Sequence, residues 1–126
     1  MRNSILALFA VVAFVCSPPA FAAVKLDGDG IRDKIVGNTI QLVNENLELA
    51  IGAVLKDGSL RGSIGGKKIS GTWSIKNNSE LCFDLPNRNF DLCRVVFDHG
   101  SYFMLRNTAG NPSGRMEVLN GNPYNF

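Results

Sequence analysis

From Gly37 to the C-terminus, clusters of Gly, Asn, Asp and Pro cut the chain into short apolar runs that carry no helical period. This punctuation constrains the fold more than any other feature, because short runs between turn signals read as strands joined by hairpins. Leu47, Leu49, Ile51, Ala53 and Leu55 alternate strictly with Glu48, Ala50, Gly52 and Val54, and "KDGS" then supplies the favoured Asp-Gly turn pair. Arg61 to Ile64 resumes the pattern before "GGKK" turns again. Ile69, Gly71, Trp73 and Ile75 share one face, opposite Ser70, Thr72, Ser74 and Lys76. "KNNSE" leads into Leu81, Phe83 and Leu85, "PNRN" into Leu92 to Phe97, and "DHG" into Tyr102 to Arg106. After the looser "NTAGNPSG", a last strand runs from Arg115 to Leu119.

About eight strands at spacings of roughly 8 to 12 residues, with no second helix to make a crossover, predict an all-β, mainly antiparallel fold. A meander of that length avoids exposed edges by closing. The expected architecture is a small up-and-down β-barrel or strongly curved meander, with one short N-terminal helix plugging an end. Gly62, Gly65, Gly66 and Gly71 are the expected points of strong bending. The helix is predicted in "LDGDGIRDKIVGNT", with Asp27 or Asp29 as N-cap, Ile31 and Ile35 on one face and Gly37 as the left-handed stop. The spacing of Asp27, Asp29 and Asp33 invites calcium. An EF-hand loop, however, needs an oxygen ligand at its fifth position and glycine at its sixth, where this chain has Ile31 and Arg32. Capping is the better reading.

The N-terminus has a different composition. Arg2 precedes an apolar run from Ile5 to Cys16 and then "SPPAFAA", which together make a secretory signal peptide cleaved after Ala22. The run is too short to span a bilayer, and Pro18 and Pro19 break a helix there. Val15 immediately before Cys16 does not suit lipoprotein processing, so Cys16 is expected to leave with the leader. Residues 1–22 are therefore read as signal peptide and 23–126 as a single β-barrel-like domain, periplasmic or secreted. Of the three cysteines in the chain, Cys82 and Cys93 then remain, and an exported pair at that spacing reads as a disulfide. Closing so short a loop contributes about 3 kcal/mol on the chain-entropy model. Pairing them places the hairpin turn at Asn87-Arg88. Cys82, Cys93, Val95 and Phe97 then share one face of the hairpin, while Leu81, Phe83, Leu85 and Val96 occupy the other. One face lines the core, and the other is covered by the helix or exposed as a contact surface.

The formal net charge of +2, from 13 Lys and Arg against 11 Asp and Glu, leaves no electrostatic footprint for nucleic acid or an anionic membrane. The single histidine, His99, lies in a turn-like "DHG". No Gly-x-Ser-x-Gly elbow, phosphate loop or zinc spacing occurs. The expectation is a non-enzyme without cofactor or metal, acting by binding. Trp73 is read first as a core plug and second as a ligand platform at the barrel mouth. Tyr102, Met104 and Arg106, on one strand face, would line that same space in an open barrel. Val95 and Phe97 mark the alternative, an outer surface for a protein partner in the envelope, with protease or lysozyme inhibition as its most concrete form. The competing function is a carrier or sensor of a small apolar or envelope-derived ligand in a calycin-like pocket. Volume favours the partner, because an eight-strand barrel is just wide enough for side chains or one small ligand. Trp73, Ile75, Phe83, Leu85 and Met104 are the large candidates to fill it.

"GNTI" after the short helix, "KDGSLRG", "SGTW", "LC", the second cysteine followed by a valine run, and "GNP" near the end occur in one order from Gly37 to Pro123. This layout resembles a group of small exported, β-rich proteins of unknown function from Gram-negative bacteria, chiefly alphaproteobacteria. The resemblance implies the fold and an exported location. More loosely, "GTWSIKNNSELC" is similar to the Trp-to-Cys segment of bacterial periplasmic metalloprotease inhibitors, which are small stapled barrels. Those inhibitors reach the protease with an N-terminal arm, whereas this chain is expected to begin with a folded helix.

Overall fold

The computed structural model describes residues 22–43, 47–86 and 92–126. Residues 1–21 of the segment read as a leader, and the expected turn at Asn87-Arg88, lie outside these. A two-residue strand, β1 (Val24–Lys25), is followed by one helix, α1 (Gly28–Lys34). Eight strands come next: β2 (Thr39–Val43), β3 (Leu49–Val54), β4 (Ser59–Ile64), β5 (Lys67–Lys76), β6 (Glu80–Asp84), β7 (Cys93–Asp98), β8 (Phe103–Arg106) and β9 (Pro112–Leu119). From β2 to β9 each pairs antiparallel with the next, and β9 returns to β2 through Thr39 opposite Leu119 and Leu42 opposite Met116. The sheet closes into the expected up-and-down barrel.

β1 is an addition to that barrel. It pairs with the end of β7, Val24 opposite Asp98 and Lys25 opposite Phe97, where β6 no longer reaches. Two residues carry no periodicity, so the strand was not legible in the sequence.

Local chemistry accounts for the joints. Gly65 and Gly66 make the two-residue β4–β5 turn with φ of +57° and +81°, the paired left-handed geometry that matches strand twist in a tight hairpin. Gly62 serves another purpose, because a Cβ there would lie 1.9 Å from the Ile51 carbonyl oxygen. It lets β3 and β4 approach and coil as a narrow barrel requires.

The strand registers sort side chains into an inner and an outer set. The inner set meets in one core of Ile40, Val54, Leu60, Leu81, Leu85, Val96, Leu105 and Met116, with Trp73, Ile75, Phe83 and Phe103 packed against it. On β3 the small residues face inward, Val54 being fully buried, while Leu49 is 44% exposed on the outside. The larger members of that alternating run are thus outside. Gly52 pairs directly with Gly62 there, and the lumen leaves no room for leucines at those positions.

The helix supplies the rest of the core. Asp27 caps it, its carboxylate accepting from Gly30 N at 2.8 Å, and Asp29 sits in the first turn facing Arg32 at 3.7 Å. Gly37 follows with φ +86° as the left-handed stop. Ile31 and Ile35, four apart, are both fully buried in the barrel core. On the same helix the Lys34 ammonium donates to Asp98 of β7, which is itself buried. That bond fastens the plug to the wall. The C-terminal tail is fastened too: the Thr39 hydroxyl donates to Gly121 O at 2.7 Å, and the Asn122 side chain donates to Phe126 O at 2.9 Å.

Candidate functional site

The disulfide forms as expected between Cys82 and Cys93, directly opposed on β6 and β7. Its face is the outer one. Leu81, Leu85 and Val96 belong to the core, so Cys82, Cys93, Val95 and Phe97 lie on the outer side of the wall. The helix turns Ile31 and Ile35 toward the inward cluster instead of packing on that side. Glu80 lies beside the bridge, its carboxylate within 4.8 Å of both sulfurs. With the sulfurs bonded to each other, that group offers a cation only one carboxylate.

Trp73 lies inside. Its ring NH donates to Leu55 O at 2.7 Å and its backbone NH to Gly58 O at 3.0 Å, tying β5 to the β3–β4 turn. A ring whose donor is already used in the wall is a structural plug.

Tyr102, Met104 and Arg106 do not join it, which corrects their expected place in the lumen. Met104 pairs with Phe97 and Arg106 with Val95, so these side chains stand on the outer face. The sequence misleads here because Phe103 and Leu105, the alternate set on the same strand, are equally apolar. Register decides, and Leu105 is the one in the core. Tyr102 follows the outer set: its ring stacks on His99 at 5.0 Å and lies 4.1 Å from the Arg115 guanidinium.

The outer face of β7 and β8 holds a groove of about 260 Å³, lined by Ala23, Phe97, His99, Met104, Leu105, Arg106 and Pro112. Each element contributes for a local reason. Alternation on β7 sends Phe97 out and Asp98 in, and pairing aligns Met104 beside Phe97. The His99 NH donates to Tyr102 O across the tight β7–β8 turn, which brings the imidazole to one end. β1 lays Ala23 and Lys25 alongside. Arg106 folds over the Phe97 ring with its guanidinium carbon 5.4 Å from the centroid, and donates to Gly110 O at 3.0 Å. This is a cation–π contact that leaves further guanidinium donors on an exposed side chain.

The electrostatics of this face follow from where its acids go. Asp98 is turned inward, and the Lys34 hydrogen bond holds its carboxyl below the ordinary value despite burial, with the Gly100 NH helping. Glu117 pairs with Arg115 at 3.7 Å, and Glu80 accepts from the Asn77 amide at 3.2 Å. An apolar floor of Phe97 and Met104 is left with a basic rim of Lys25, His99 and Arg106.

Of the residues singled out from sequence, Val95, Phe97 and Arg106 are therefore brought together, Tyr102 lies next to them, and Trp73 is separated from them by the wall. Ala23, His99, Met104 and Pro112 were missed as groove residues. His99 had one available signal, its position one turn before an aromatic at Tyr102. Comparison of the chain with family models, with curated proteins and with solved structures yields no match.

Proposed function

We propose that this is a non-enzymatic, exported binding protein that docks a protein partner in the cell envelope on the outer face of β7 and β8, through Val95, Phe97 and Arg106. One observation carries the reading. The lumen is filled by the protein's own side chains and by Ile31 and Ile35 of α1, while the groove lies on the outside. A carrier needs an open interior, and an eight-strand barrel filled in this way has none to give. Inhibition of an envelope protease or lysozyme is the most concrete form of such docking. A site with an aromatic anchor and an arginine at its centre has the composition of an interface hot spot. Its small size fits transient or partly induced contact. No helix among the described residues is long and apolar enough to cross a membrane.

The test is capture of a partner from envelope extract by the wild type and by Phe97→Asp. Loss of capture by a variant that keeps its fold is expected. Undiminished capture would remove this face from consideration. A saturable response of Trp73 fluorescence to lipids would return the function to the lumen. Intact mass of protein from the periplasmic fraction tests export, expected as a chain starting at Ala23 that gains two hydrogens on reduction.

A further inference from the structure

We propose that the groove recognises an acidic peptide segment, an apolar side chain flanked by carboxylates, presented by the partner. This rests on the docking reading and specifies its chemistry. The volume, about 260 Å³, falls below the range of roughly 300–1,000 Å³ typical of small-molecule pockets and suits one or two side chains. The floor, Phe97 against Met104, offers an aromatic and a thioether to an aliphatic or aromatic anchor. The rim is complementary to carboxylate. The Arg106 guanidinium carbon lies 5.4 Å from the Phe97 ring centroid, and a guanidinium is a planar fork whose geometry matches a carboxylate's two oxygens. Lys25 lies across from Phe97 on the other side, and His99 closes one end.

Two acids that would oppose such a ligand are engaged by cations, Asp98 by Lys34 inside the wall and Glu117 by Arg115, while Glu80, opposite Val95, accepts from the Asn77 amide beyond the Phe97 end. Export adds to the rim. Cleavage after Ala22, the expectation from sequence, leaves a new α-ammonium on Ala23, a residue that lines the groove. The mature protein is thus a better receptor for anions than its precursor.

The probe is the peptide acetyl-Glu-Leu-Asp-Phe-Glu-Leu-amide, titrated into isotope-labelled exported protein and followed by amide chemical shifts. The control is the same peptide with lysine at each acidic position. Saturable shifts centred on Phe97, His99, Met104 and Arg106 are expected with the acidic peptide alone, weakening as salt rises. Arg106→Glu should weaken binding about tenfold or more and reverse the preference between the two peptides. Arg106→Lys keeps the charge but loses the planar fork, and should fall between. Both changes are at an exposed position, and the unchanged spectrum elsewhere reports the fold. Equal binding of the two peptides, absence of binding by both, or shifts away from the groove would overturn the inference. So would binding of phosphatidylglycerol vesicles with no response to the acidic peptide, which would assign the basic rim to a membrane surface. The two readings fail separately. Capture lost in Phe97→Asp without any acidic-peptide binding leaves the docking face standing and removes its proposed chemistry. Capture retained in Phe97→Asp alongside acidic-peptide shifts does the reverse.

Discussion

Replacing Ile31 with alanine tests whether the helix is part of the barrel core or merely rests on it. Ile31 is fully buried, within one cluster that includes Leu26, Ile35 and the inward residues of the wall. The change removes three buried carbons. At about 0.8 kcal/mol per buried methylene the transfer loss is roughly 2.4 kcal/mol. A cavity term follows, because strands closed in a ring cannot collapse onto the void, and the total rises to about 3–4 kcal/mol. Against a typical stability of about 5–15 kcal/mol, that is a large fraction. The assay is urea unfolding at fixed temperature, read by Trp73 emission and, independently, by far-ultraviolet circular dichroism. The midpoint should fall with the slope unchanged, since the native barrel persists. The melting temperature should drop by about 12–32 °C at the usual sensitivity of roughly 4–8 °C per kcal/mol for a domain near 100 residues. Asp33→Ala, on the exposed side of the same helix, should stay within about 0.5 kcal/mol. A loss below about 1 kcal/mol at Ile31 would mean that the helix contributes little to the core. The helix would then leave that end of the lumen unfilled.

Asp98→Asn tests the latch between helix and wall. The wild-type carboxyl is held below its ordinary value of 3.8, so its contribution is present above that pH and fades as the pH falls through the folded value. The variant should be less stable at neutral pH and lack that part of the acid response; parallel curves for the two proteins below pH 5 would refute the assignment. Gly62→Ala should cost about 3 kcal/mol or more, because the new Cβ meets the Ile51 carbonyl rather than a side chain that can move. Chemical denaturation measures it, and a near-neutral result would show that β3 and β4 can separate. Trp73→Phe removes the donor to Leu55 O and should cost about 1–3 kcal/mol, measured the same way. Reduction of Cys82–Cys93 should cost about 3 kcal/mol with the circular dichroism spectrum retained, since both cysteines, although buried, lie outside the cluster of inward side chains that holds the barrel.

Sequence alone determined the elements that depend on neighbouring residues. The Asp-Gly and Gly-Gly turns, the alternation on β5, the Asp27 cap with Ile31 and Ile35 one turn apart, and the directly opposed cysteines are all local. They suffice for a closed antiparallel meander with a plug, because hairpins leave few other ways to hide edges. Which face of each strand turned inward was legible only where the two faces differ in polarity, as around Trp73. On β8, Phe103 and Leu105 compete with Tyr102 and Met104, and on β3 Leu49 and Ile51 compete with Ala50 and Val54. There pairing across the ring decided, because a register step of one residue exchanges the faces and only closure selects the step. Tertiary structure alone set β1 beside β7, turned Asp98 toward Lys34, and carried Arg106 over Phe97. The groove is made of residues from four separate segments. Its basic rim exists because the fold turns Asp98 inward to Lys34 and sets Glu117 beside Arg115, which no reading along the chain can show.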